Sequence, residues 1–163
     1  MKEKELISLD VAKALFKTEY TEWCEMSYAR GSQITDYAIE KYGELTDDGY
    51  YELTKRGGGT EPWNKIYDQK FRLSYFKGSN GWFKEEGYRA MTAPSVYEVQ
   101  RWLRDEHGII VEVRFNGTDS LFYSIWNITE GHLHTSQKMF KLKDYYKCFN
   151  KALSVTFKHY FKK

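Results

Sequence analysis

Apolar residues recur along this chain with two periods, and the switches between them mark the elements. Helical spacing appears first in LDVAKALFK, where Ser8 can cap and Leu9, Ala12 and Phe16 line one side with Leu15 beside them. It returns after Pro94. There Ser95 and Glu98 stand three apart, the spacing of a capping box. Val96, Val99 and Leu103 then gather on one side of a helix over 95–107. Arg101, Arg104 and Asp105 lie on the other side, and Trp102 sits at the border. His107 suits the negative end of that helix and Gly108 its stop. The third helical run, about 143–161, has the longest pattern. Tyr145, Tyr146, Phe149, Ala152, Leu153, Thr156, Phe157 and Tyr160 fall within an arc of about 140°. Lys143, Lys147, Lys151, Lys158 and Lys162 fall nearly opposite.

Alternation predicts the strands. Ile109, Val111, Val113 and Phe115 share one face, while Glu112 and Arg114 take the other. Asn116-Gly117 marks a turn in a loop longer than two residues, 121–128 gives the partner strand, and 133–138 gives a weaker third. Trp23 to Tyr28 reads as a short strand, and 70–76 as another with Phe71, Leu73 and Tyr75 on one face. GSNG at 78–81 is a turn. Residues 82–91 read as a loop carrying Trp82, Phe83 and Tyr88. Over 47–56 two patterns compete. Asp47 and Asp48 at one end, Lys55 and Arg56 at the other and the stop Gly57–Gly59 favour a short helix; Tyr50 to Thr54 would also serve as a strand. Residues 29–45 give no decisive pattern. These elements add up to an α+β fold, an antiparallel sheet with helices packed mainly on one face and a long amphipathic C-terminal helix.

Composition sharpens this picture. The 163 residues suit a single domain, 1–163. Aromatics make up 18% and include 14 Tyr, so rings replace part of the usual aliphatic core and leave polar tips to be satisfied. Net charge is +2, too small for a global field toward nucleic acid. It is uneven, however. Residues 138–163 hold eight Lys against one Asp, a local +7. The start MKEKELISLD has no apolar segment of a signal peptide, and no apolar run is long enough for a membrane span. Reduced cysteines in a cytoplasm are therefore expected.

The segments ISLDVAKALF, Trp23-Cys24 and TAPSVYEVQRWLRDEHGIIVEV, with the closing amphipathic helix, resemble a group of small proteins of gut Bacteroidetes and their phages and prophages. The resemblance covers about 8–28 and 92–161 and leaves 29–91 as an enlarged middle. It carries no activity and no functional residues. It implies an accessory role in a bacterial host cell.

Candidate chemistry is sparse. The triplet Gly57–Gly59 follows Lys55 and Arg56 instead of preceding a lysine at a helix start, so it does not fit a phosphate loop. His132-x-His134 would put two imidazoles on one face of a strand, but a metal site needs three or four ligands, and neither Cys148 nor His159 is tied to them by spacing. Cys24 and Cys148 fit no zinc or redox spacing, and Cys148 falls at the edge of an apolar face. No catalytic residue, metal or cofactor is expected. The sequence thus points to a non-catalytic binding protein that takes a host protein or small ligand through an aromatic surface, with Trp63, Trp82, Phe83 and Trp102 as contact residues. The alternatives are nucleic-acid binding through Lys143, Lys147, Lys151, Lys158 and Lys162, and an enzyme with an unrecognised Cys/His or metal site.

Overall fold

The computed structural model describes residues 3–30, 43–46, 49–55, 73–78, 81–86 and 90–161. The chain forms two compact units. The first joins Met1–Ala14 to Pro94–Lys163, and the second is Leu15–Ala93. The fold is α+β, and every strand pairing among the described residues is antiparallel.

Helix α1, Leu9–Phe16, follows a short 3-10 turn. In the second unit, β1 (Met26–Arg30) is central. It pairs with β3 (Gly49–Lys55) on one side and β6 (Ala90–Thr92) on the other, and β2 (Gly43–Thr46) extends the sheet beyond β3. β4 (Leu73–Gly78) and β5 (Gly81–Glu86) form a separate hairpin closed at Gly78 and Gly81. Tyr51 and Met91 are fully buried.

The structure departs from the sequence expectation at three places. In place of the helix over 47–56 the described residues form strand β3, paired with β1 from Tyr51 to Lys55. Ring and β-branched residues at Tyr50, Tyr51 and Thr54 suit a pleated surface, and that preference outweighs the end-charge pattern. The loop over 82–91 contains strands β5 and β6. The strand expected at 23–28 starts only at Met26, and Trp23 is half exposed.

In the first unit, helix α2 (Val96–His107) runs directly into β7 (Ile109–Phe115). The capping box is present. The Glu98 amide donates to Ser95 Oγ at 3.2 Å, and the Ser95 amide donates to Glu98 Oε2 at 2.7 Å. Gly108 closes the helix in the left-handed region at φ 65°, and Val96, Val99 and Leu103 are buried as the periodicity requires. β7 pairs in register with β8 (Ser120–Asn127) from Ile109↔Asn127 to Phe115↔Leu121. On its far side β8 meets β9 (Gly131–Thr135) and β10 (Phe140–Lys141). Asn116 Oδ1 accepts from the amides of Thr118, Asp119 and Ser120 and so holds the β7–β8 loop.

The expected long C-terminal helix is present as one continuous helical run: a 3-10 turn over Leu142–Asp144, α3 (Tyr145–Val155), and a π turn over Thr156–Tyr160. Thr156 Oγ1 donates back to the Ala152 carbonyl at 2.8 Å, and the Phe161 amide reaches the Thr156 carbonyl at 2.8 Å, the wider π spacing. α3 packs on β7 and β8 and buries Cys148, Phe149, Ala152 and Leu153. α2 packs on β7 and α3. Tyr97 lies 5.8 Å from Phe149, and Trp102 lies 5.7 Å from Phe161, so the two helices run parallel with matching ends together. Asn150 fastens the N-terminal segment to α3. Its side chain accepts from the Ser8 amide at 2.6 Å and donates to the Leu6 and Tyr146 carbonyls.

Candidate functional site

The phase of the β7–β8 ladder decides which backbone groups face outward. The Ile128 amide donates to the Gly108 carbonyl at 2.9 Å, and the Asn116 amide donates to the Ser120 carbonyl at 3.0 Å. In an antiparallel pair such bonds recur at every second residue. Residues 108, 110, 112, 114 and 116 therefore bond to β8, and Ile109, Val111, Val113 and Phe115 turn their N–H and C=O groups away from it. Among the described residues β7 pairs only with β8, so these groups form a sheet edge. α2 covers its first half, where Gln100 Nε2 donates to the Val111 carbonyl at 2.5 Å.

Beyond Gln100 a cleft of about 490 Å³ opens. Tyr97 and Gln100 of α2, Glu112, Val113 and Arg114 of β7, Trp126 of β8, and Tyr145 and Phe149 of α3 line it. The rings at its helical side brace one another. Tyr97 stands edge-on to both Phe149 and Tyr146, and its hydroxyl donates to that of Tyr146 at 3.3 Å. Burial raises the pKa of the Tyr145 phenol, and the hydrogen bond shared with Tyr97 raises that of Tyr146. Both phenols stay neutral at physiological pH and serve as hydrogen-bonding groups without charge. Tyr97 is 43% exposed and Phe115 is 55% exposed, so apolar surface continues past the cleft mouth. Phe115 shares the face of Ile109, Val111 and Val113, as the alternation predicts, but it lies at the end of the edge strand and stays exposed.

Trp126 supplies a further signal. Its Nε1 is buried and has no hydrogen-bond partner among the described residues. Leaving a buried donor unmet costs about 1–3 kcal/mol. The wall of the cleft therefore carries an unsatisfied polar atom.

The sequence-expected contact residues do not form this cleft. Trp63 lies outside the described residues. Trp82 and Phe83 belong to β5 in the second unit, where their register partners are Lys77 and Phe76, and their side chains lie outside the described set. Trp102 is half-buried in the first unit and packs against His107 and Phe161, away from the cleft lining. No sequence signal pointed to Gln100, Tyr97 or Trp126 as a group; only the neighbour order of the strands assembles them.

Lys143, Lys147, Lys151 and Lys158 are all exposed on the helical run that holds α3, and Lys162 lies outside the described residues. The two histidines of β9 do not share a face. A register shift between Ile125 and Trp126 pairs His134 with Ile125 and His132 with Trp126. His134 then meets Tyr123 and Tyr160 on the helix side, and His132 bonds Thr135 Oγ1 at 2.6 Å on the opposite side. Among the described residues no three His, Cys, Asp or Glu side chains are grouped to hold a metal ion, and no helix is long and apolar enough to cross a membrane. Cys24 and Cys148 are both buried, and neither is in a disulfide. Burial pushes Cys148 up to about 11, which disfavours the thiolate a nucleophile needs. Compared with protein-family models, curated proteins and solved structures, the chain matches none.

Proposed function

We propose that this chain is a non-catalytic binding protein of a phage or mobile element, and that it takes a partner protein at the cleft beside the edge of β7. The carrying observation is the coincidence, in one place, of a strand edge left unpaired among the described residues, braced rings and a Trp126 N–H that none of those residues meets. Rings that are already held in position lose little freedom on binding, which is why aromatic anchors dominate contact surfaces. The accessory setting rests on the resemblance in 8–28 and 92–161.

A photo-crosslinking residue placed at Phe115, beside the cleft, tests the reading in cells that make the protein naturally. The control position is Ile128, which is 68% exposed and lies beside Gly108, at the opposite end of β7. The expected result is a discrete adduct from position 115 and none from 128. Equal adducts from both positions, or none from either, would reject the location.

A second reading is supported by the four exposed lysines of the C-terminal helical run: binding of nucleic acid through phosphate contacts. A gel shift at low salt tests it, and absence of any retarded species would retire it.

A further inference from the structure

We infer that the partner binds by strand addition: an extended peptide segment pairs antiparallel with β7 across from Val113, and it carries an acidic residue, an apolar residue and a basic residue in that order. This rests on the reading above that the cleft is a contact surface.

Three observations carry it. The first is the ladder phase. Val113 turns both its N–H and its C=O to the open edge, and among the described residues nothing meets them. An N–H and a C=O from one residue at a strand edge are complementary to the main chain of another strand, which returns the same two groups. The second is the extent of the opening. Gln100 closes the Val111 carbonyl, so the free stretch is short and lies within the cleft, whose volume is in the range of ligand sites. The third is charge. Glu112 and Arg114 flank Val113, line the same cleft and lie on the same side of the strand. In an antiparallel pair centred on Val113, the residue before the central one stands opposite Arg114 and the residue after it stands opposite Glu112. Opposite charges at those places attract, and like charges repel. The central side chain turns to the other side of the sheet, toward Tyr97, Tyr145 and Phe149, and so should be apolar.

The order Glu112-Val113-Arg114 itself fits this rule, which raises a second copy of the chain as occupant. A separate peptide is favoured because α2 already overhangs the edge at Val111 through Gln100. Two copies would bring two such helices together at the same edge.

The test compares two synthetic peptides of equal composition by fluorescence polarisation. One is Thr-Thr-Val-Glu-Val-Arg-Val-Thr-Thr; the other exchanges Glu and Arg. The first should bind at least about tenfold tighter (about 1.4 kcal/mol). With the double substitution Glu112→Arg/Arg114→Glu, the preference should reverse. Methylating the amide of the central valine should remove binding, because that N–H faces the Val113 carbonyl. Val113→Pro should do the same from the protein side. It deletes an N–H that the β8 ladder does not use, so the melting transition should persist.

Equal affinity for the two peptides, or no reversal, overturns the proposal. So does binding that survives both the methylated amide and Val113→Pro; the contact surface would then stand without strand addition. Failure of every peptide to bind at millimolar concentration also overturns it, while the crosslink at position 115 decides the broader reading independently. A concentration-dependent dimer that dissociates on adding the first peptide would assign the edge to a second copy and overturn the separate partner.

Discussion

The side-chain amide of Gln100 donates to the main-chain oxygen of Val111 across 2.5 Å, and it does so at a carbonyl that β8 does not use. A helix side chain thus finishes part of a sheet edge that would otherwise be open. Exposed edges invite pairing with other chains, and covering them is a common remedy. Gln100→Ala should therefore have two effects. Stability should fall by about 1 kcal/mol, the usual net worth of such a bond, read as a lower midpoint in urea. The free edge should also lengthen from Val113 to Val111, so light scattering on prolonged incubation should rise with protein concentration. An unchanged midpoint would mean that water serves the Val111 carbonyl equally well.

The connection from α2 to β7 depends on Gly108 at φ 65°, where an added Cβ would come within 2.8 Å of Ile128 Cγ1. Gly108→Ala should cost about 1–2 kcal/mol for the left-handed backbone alone, and more for the clash. Ile128 is 68% exposed, so Ile128→Ala alone should be nearly neutral. Combined with Gly108→Ala it should recover the clash and leave the backbone cost. The double-mutant cycle reads this directly from denaturation midpoints. Strict additivity would show that the Ile128 side chain moves aside without cost.

What the sequence made legible was local. The Ser95–Glu98 box and the Gly108 stop each depend on residues within four positions, and both stand as read. The alternation from Ile109 to Val113 held because one face of β7 is buried by α2 and α3. It continues to Phe115, which stays in the β8 register but is exposed at the end of the strand. Over 47–56 two local signals conflicted, and pairing with β1, a partner more than twenty residues away, decided between them. The histidines of β9 were misplaced because a bulge at Leu133 breaks the two-residue period, and nothing in that residue announces it. The cleft was least legible of all. It exists because β7 is an edge, which is a property of strand order and not of any segment. Asn150 teaches the same lesson: its bonds to the Ser8 amide and the Leu6 carbonyl span more than 140 positions.

Cys148 is fully buried, and its pKa is raised to about 11 by loss of solvation. A thiol that holds its proton longer in the folded state than in the unfolded chain adds stability that is complete below the unfolded pKa. That stability is lost as pH rises, because the unfolded chain ionises first, near pH 9. The loss grows at about 1.4 kcal/mol per pH unit and levels off above about 11. Stability measured from pH 8 to 11 should therefore fall in the natural protein, and Cys148→Ala should flatten part of that slope. The native thiol should react with a disulfide reagent at pH 8 far more slowly than the same residue in urea. Rapid native reaction would show that Cys148 is accessible after all.

The lysines of the C-terminal helical run give the sharpest salt test. Lys143, Lys147 and Lys151 recur at four-residue spacing, and Lys158 continues the stripe; all four are exposed, with Asp144 the nearest acid in the run. If they neutralise phosphates of a duplex, each contact contributes about −0.9 to the slope of log affinity against log salt. Four contacts then predict a loss of about a hundredfold between 50 and 200 mM salt. Replacing all four by Gln should abolish that binding. It should leave the melting temperature nearly unchanged, because solvated surface charges contribute little to stability. The same variant should keep its affinity for a peptide at the β7 edge, since none of the four lysines lines the cleft. One comparison thus separates the two surfaces: a salt titration with duplex DNA and with the Glu-Val-Arg peptide. A peptide affinity that falls with salt as steeply as the duplex affinity would show instead that nonspecific charge governs both.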